Sequence, residues 1–90
     1  MKTIEKKVYA EYFEKILSGE KTYEVRSADF DVNAGDSLRL REIDAKRNFT
    51  GRETIVEVTY AFNTKTMEEF HSKEEIEKHG LVVMAIRPKK

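Results

Sequence analysis

Short runs of alternating apolar and polar residues predict five strands. These runs span residues 3–9, 22–27, 37–43, 53–62 and 81–87. In the second to fourth runs, apolar side chains recur at alternate positions, which is the period of a strand that buries one face. In the first run Ile4 and Val8 share one parity, with Lys6 between them. The fifth run, LVVMAIR, is apolar at both alternating sets of positions until its arginine. That pattern indicates a strand that lies centrally in a sheet.

Two stretches have the features of helices. The first is residues 10–18, with an apolar face formed by Tyr12, Phe13, Ile16 and Leu17. Gly19 follows as a residue that can end a helix in the left-handed conformation. The second lies within residues 66–79, where two capping boxes fit, Thr66 with Glu69 and Ser72 with Glu75. The predicted order β-α-β-β-β-α-β is typical of a small α+β fold, a mixed β-barrel of about five strands with two flanking helices.

The apolar positions that face one way along these elements define the expected core. It comprises Phe13, Leu17, Leu38, Leu40, Val56, Val58 and Val83. Four further aromatic residues are expected in the core as well, Tyr12, Tyr23, Tyr60 and Phe62. Phe30 and Phe49 lie instead in polar stretches between elements, where an exposed aromatic ring offers a surface for stacking on a base.

Composition narrows the classes of function. Lys and Arg number 17, as do Asp and Glu, so the formal net charge is zero. This balance excludes a strongly basic protein that binds DNA without sequence preference. The absence of cysteine excludes a disulfide framework, a thiol nucleophile and a cysteine-ligated metal. His71 and His79 could not complete a metal site without carboxylates. We therefore expect neither a metal nor a cofactor.

Neither a targeting signal nor a membrane span is predicted. The opening residues, MKTIEKK, lack the apolar stretch of a signal peptide. The longest uncharged apolar run, residues 80–86, is far too short to cross a bilayer. The chain contains no linker-like tract, so residues 1–90 are expected to form a single domain. The expectation is a cytoplasmic monomer without a membrane partner.

The candidate chemistry lies in the octapeptide GEKTYEVR, residues 19–26. Glu24 and Arg26 share one face of the predicted strand. Arg26 offers a planar fork to a phosphate or a base edge, and Lys21 offers a point charge. Glu24 could accept a hydrogen bond from an exocyclic amine such as cytosine N4. The alternative interpretation is a surface ion pair that contributes only about 0–1 kcal/mol.

The octapeptide resembles the signature of the ASCH domain, G-x-K-x-x-E-x-R. Other blocks resemble a small bacterial and phage branch of the same PUA-like superfamily: Lys7-Val8, Glu11-Tyr12-Phe13, Asp29, Asp31, Gly35-Asp36, Phe49-Thr50-Gly51-Arg52 and residues 81–86. The resemblance implies a PUA-like barrel with a cleft between the first helix and the motif strand. It also implies an RNA, nucleotide or nucleoside ligand. The ligand-binding candidates are Lys7, Lys21, Glu24, Arg26, Thr50 and Arg52.

Two alternatives stay open. Some very small ASCH enzymes are amidohydrolases that deacylate N4-acylcytidine, which would assign catalysis to Lys21, Thr22 and Glu24. The position of their nucleophilic threonine is occupied here by Glu24, which carries no hydroxyl group. Their further glutamate would correspond to Glu68, Glu69, Glu74 or Glu75. The other alternative is a non-catalytic interaction module that docks through the acidic segment within residues 66–79.

Overall fold

The computed structural model describes residues 1–65 and 80–89. In these residues five strands and one helix follow in the order β1 (Thr3–Tyr9), α1 (Ala10–Ser18), β2 (Tyr23–Ser27), β3 (Ser37–Ile43), β4 (Phe49–Asn63) and β5 (Leu81–Pro88). The architecture is α+β, as the sequence predicts. The predicted second helix lies outside the described residues. No helix in the described part of the chain is long and apolar enough to cross a membrane.

The five strands form one mixed sheet in the order β1-β3-β4-β5-β2. β1 pairs with β3 in parallel, whereas every other neighbouring pair is antiparallel. β5 lies between β4 and β2, inside the sheet as its apolar pattern predicts. Within the described residues β1 and β2 remain the two edges. The sheet is therefore a curled half-barrel, where the sequence predicted a barrel.

The core fills the inner face of this curled sheet beneath α1. Its buried members are Val8, Phe13, Ile16, Leu38, Leu40, Val56, Val58, Val82, Met84 and Ile86. Two residues that the sequence predicted in the core, Leu17 and Val83, are not buried there. Leu17 is 50% exposed because α1 turns Phe13 and Ile16 toward the sheet. Val83 is only half-buried because the residues of β5 that face the core are its neighbours Val82 and Met84.

A β-bulge in β4 overturns the expectation for Tyr60. Val58 pairs with Ile86 and Tyr60 pairs with Ala85, so Thr59 is an extra residue on this strand. A bulge shifts the alternation by one position. Beyond it Ala61 packs against the core, while Tyr60 is 63% exposed. Phe62, also expected in the core, is half-buried and lies 6.2 Å from the Tyr60 ring.

Two turn residues act as the sequence predicts. Gly19 ends α1 with a φ of 85°, and its N–H donates to the Ile16 carbonyl. Asp36 accepts hydrogen bonds from the backbone N–H groups of Asn33 and Lys2. These two bonds lower the pKa of the Asp36 carboxyl. Both residues thus fix chain reversals next to the strands.

Candidate functional site

A cleft of about 280 Å³ opens between the two edge strands of the half-barrel. β1 contributes Lys7, Val8 and Tyr9, α1 contributes Tyr12, and the chain around β2 contributes Lys21 and Tyr23 to Arg26. We call this feature the seam cleft. Four of the six predicted ligand-binding residues therefore line one cleft, namely Lys7, Lys21, Glu24 and Arg26.

β2 turns its polar face inward. Glu24 pairs with Met84 and Arg26 with Val82, both of which are buried core residues of β5. Paired residues share a face of a sheet, so Glu24 lies on the core side and is 3% exposed. Tyr23 lies on the other face and is 52% exposed, which makes its expected place in the core wrong.

Glu24 holds two cations at the cleft wall. Its Oε2 accepts a hydrogen bond from Arg26 Nε at 2.9 Å, and its Oε1 accepts one from Lys21 Nζ. Lys21 also donates to the Tyr23 carbonyl at 2.8 Å. The ion pair that the sequence offered as the alternative does form, but its carboxylate is buried and its two cations are partly exposed. A buried carboxylate of this kind is stable only when both oxygens are satisfied.

Arg26 also connects the two edges of the sheet. Its Nη2 donates to the Lys7 carbonyl on β1 at 2.7 Å. The contacts with Glu24 and Lys7 occupy two of the five N–H donors of the guanidinium. The strand edges are thus tied by a side chain whose other donors are open to a ligand.

Two tyrosines flank the Lys21 ammonium in the seam cleft. The Lys21 ammonium lies 4.8 Å from the centroid of the Tyr23 ring and 5.9 Å from that of Tyr12. Tyr12 is exposed as well, so its expected place in the core is wrong. Since α1 buries Phe13 and Ile16, the neighbouring position faces away from the core. The cleft therefore combines cations with accessible aromatic rings.

Thr50 and Arg52 belong to a different cluster. Both donate to buried Glu42: Thr50 Oγ1 at 2.6 Å and Arg52 Nη2 at 2.7 Å. Arg52 also pairs with Glu14 on α1. The hydrogen bonds from Arg52 and Thr50 lower the pKa of the Glu42 carboxyl from its ordinary 4.5 to about 2. These two predicted ligand residues are therefore occupied by a carboxylate of the protein itself.

Sequence reasoning missed Glu42, although a signal was present. In β3, Leu38 and Leu40 point inward, and Glu42 continues the same alternation. A glutamate at an inward position must find a partner. Here the partner comes from Arg52 on the adjacent strand.

The hydrolase alternative has little of its expected geometry. Within the described residues, Lys21 Nζ donates to Glu24 and to the Tyr23 carbonyl, and to no threonine hydroxyl. Thr22 contributes its carbonyl to the sheet, where it accepts from Ile86 N–H. The candidate glutamates of the later segment lie outside the described residues. In the part of the chain described here, no group of three His, Asp or Glu side chains could hold a metal ion.

Comparison with known proteins gives a family. The profile of DUF3850, a domain of unknown function, matches residues 3–86. The chain belongs to the DUF3850 family. A search of curated proteins returned no match. Among solved structures, this DUF3850 domain is similar to the crystal structure of hypothetical protein PH0355, with 20% identity and a TM-score of 0.66 over 99% of this chain and 100% of that one. At that identity, the likeness shows a shared fold.

Proposed function

We propose that this DUF3850 domain is an ASCH-like member of the PUA-like superfamily that binds RNA or a nucleotide in the seam cleft. One observation carries the proposal: buried Glu24 fixes Arg26 and Lys21 at the cleft wall, and two exposed tyrosines flank the Lys21 ammonium. The octapeptide of residues 19–26, from which the resemblance starts, forms one wall of this cleft. The sequence motif and the geometry thus support the same place on the molecule.

The cations give the cleft its attraction for a phosphate. Lys21, Glu24 and Arg26 together carry one excess positive charge, and Lys7 at the opposite wall adds a second. Arg26 presents its unused N–H donors in a planar fork, which matches two oxygens of a phosphate or the edge of a base. A nucleotide anion therefore finds both charge and geometry at this wall.

Glu24 acts as a positioning residue in this proposal. Both of its oxygens already accept hydrogen bonds from Lys21 and Arg26, and its side chain is buried. Direct contact with a base amine, the role considered from the sequence, is therefore not needed. Its carboxylate instead holds the two cations in place before a ligand arrives, which lowers the entropy cost of binding.

The size and walls of the cleft suit one nucleoside unit. A volume of about 280 Å³ is near the lower end of small-molecule sites. Tyr12 and Tyr23 offer aromatic faces on which a base can stack, and stacking tolerates any base. The proposed ligand is consequently a single nucleotide unit, either free or within an RNA.

Calorimetric titration with a panel of ligands tests this function. The panel contains a nucleoside, the matching nucleotides and a short RNA, with wild type, Arg26→Ala and Arg87→Ala as the proteins. Arg87 is an exposed arginine paired with Glu57 outside the cleft, so it controls for loss of one positive charge. We expect nucleotide binding by wild type and by Arg87→Ala, and about tenfold weaker binding by Arg26→Ala.

The proposal fails if no member of the panel binds, or if Arg26→Ala binds as tightly as wild type. N4-acetylcytidine is included because the amidohydrolase alternative predicts its slow conversion to cytidine. That conversion would have to disappear in Lys21→Ala.

A further inference from the structure

A second group of cations and aromatic rings lies beside the seam cleft, on the outer face of the sheet. We call it the basic–aromatic patch, formed by Lys7, Tyr9, Arg41, Arg47 and Phe49. Strand pairing brings these residues together. Lys7 pairs with Arg41, and Ile43 pairs with both Tyr9 and Phe49. The patch therefore spans three adjacent strand segments on one surface.

The rings of the patch are exposed and each is in contact with a cation. Phe49 is 45% exposed, with the Arg41 guanidinium 3.8 Å and the Lys7 ammonium 5.6 Å from its ring centroid. Arg47 Nη1 donates to the Tyr9 hydroxyl at 3.0 Å. Exposed aromatic rings interleaved with cations are the surface that single-stranded nucleic acids use for stacking and for phosphate contacts.

The charge of the patch is positive after its acidic neighbours are counted. Glu5 Oε2 lies 3.3 Å from Arg41 Nη1, and Glu53 is the strand partner of Arg41, but both carboxylates also pair with Arg39. Lys7 and Arg47 form no ion pair with any described carboxylate. The patch thus keeps cations that an anionic ligand can pair with.

The patch and the seam cleft are continuous. Lys7 and Tyr9 belong to the patch and also line the cleft. A nucleotide in the cleft would therefore have its chain neighbours next to Phe49 and Arg41. From this continuity we infer that the ligand is a single-stranded nucleic acid longer than one nucleotide, with one unit in the cleft and adjoining units on the patch. The inference rests on the proposed function and adds a substrate class to it.

An acidic peptide is the competing occupant. It would pair with the cations, but it would make no use of the exposed face of the Phe49 ring. Base stacking uses both the ring and the cations beside it. The arrangement favours a nucleic acid for that reason.

Affinity against ligand length gives the first test. A mononucleotide is compared with RNA and DNA oligonucleotides of about nine nucleotides, a length within the range of small single-strand sites. We expect the oligonucleotides to bind wild type at least about tenfold more tightly than the mononucleotide. Arg41→Ala combined with Phe49→Ala should remove most of that gain and leave mononucleotide affinity unchanged. Arg87→Ala combined with Tyr60→Ala is the matched control, since both of its residues are exposed and lie outside the patch.

Tryptophan fluorescence gives a second, independent readout. The chain contains no tryptophan, so Phe49→Trp places a single indole on the patch and keeps an aromatic ring there. Base stacking on that ring should quench its emission when an oligonucleotide is added. Tyr60→Trp, on an exposed site elsewhere, should show no such quenching. Titrations with RNA and with DNA oligonucleotides show whether the surface accepts ribose, deoxyribose or both.

The possible results separate the two proposals. If the mononucleotide binds but the oligonucleotides bind no tighter, the patch inference is overturned and the proposed function stands. Binding of neither overturns both. Quenching of the Phe49→Trp protein by a polyglutamate peptide but not by an oligonucleotide would assign the patch to an acidic protein partner and overturn the inference.

Discussion

At the scale of single residues, two glutamates determine what the inner face of the sheet can do. Glu24 and Glu42 are both buried, and each is held by an arginine. Burying a carboxylate costs desolvation free energy, which paired donors must offset. Glu42 is enclosed by Arg52 and Thr50 and serves the fold. Glu24 lies at the wall of an open cleft, so the cations it holds are available to a ligand.

Replacing Arg26 with lysine tests whether its planar fork matters. A lysine keeps the charge but cannot donate to Glu24 and to the Lys7 carbonyl while also presenting a fork to a ligand. We expect Arg26→Lys to weaken nucleotide binding by about tenfold in a calorimetric titration, and more than Lys21→Ala does. Arg87→Lys should bind as wild type does. Wild-type affinity in Arg26→Lys would rule out a bidentate contact.

Glu42 predicts an acid-sensitive contribution to stability. The pKa of its carboxyl is about 2 in the folded protein, against an ordinary value of 4.5 in the unfolded chain. Folding therefore favours the ionised form. The contribution of Glu42 to the free energy of unfolding is complete above pH about 4.5 and is lost as the pH falls toward 2. Urea unfolding should therefore find Glu42→Gln less stable than wild type at pH 7, with a smaller difference at pH 3.

Glu20→Gln is the control for the acid experiment, because Glu20 is exposed at the end of α1. Its free energy of unfolding should stay close to that of wild type at both pH values. A Glu42→Gln protein with a constant deficit across this pH range would contradict the linkage.

At the scale of elements, alternation identifies the strands but not always the side that faces inward. β3 follows the simple rule, with Leu38 and Leu40 in the core. β2 does the reverse, because its inward positions are the polar Glu24 and Arg26. The sequence of a five-residue strand does not show that its polar side faces inward, because the strand partners of Glu24 and Arg26 come from another part of the chain. In β4 the bulge at Thr59 moves the pattern by one residue, and the sequence carries no marker for it.

Two leucines test the revised core. Leu40 is fully buried, so Leu40→Ala should lower the free energy of unfolding by about 2–5 kcal/mol. Leu17 is half exposed on α1, so Leu17→Ala should cost about 1 kcal/mol or less. Chemical denaturation of both variants beside wild type measures the difference. Equal losses would mean that α1 packs on a different face.

At the scale of the whole molecule, the connection β1-α1-β2 explains why a cleft exists. The chain passes from one edge strand through α1 to the other edge, and Arg26 on β2 reaches the Lys7 carbonyl on β1. The sequence predicted the strands, the first helix and four residues of the cleft from a local pattern and a resemblance. It could not place Thr50 and Arg52, because their partner Glu42 is brought to them by strand pairing.

The position of a bound nucleotide is the most direct test of the central claim. Amide chemical shifts of the isotope-labelled protein are followed by NMR while a mononucleotide is added. The account predicts that the largest changes fall on residues 7–9, on Tyr12, on Lys21 and on residues 23–26, which form the seam cleft. Changes that avoid residues 21–26, or that centre on the distant ion pair of Glu57 and Arg87, would contradict it.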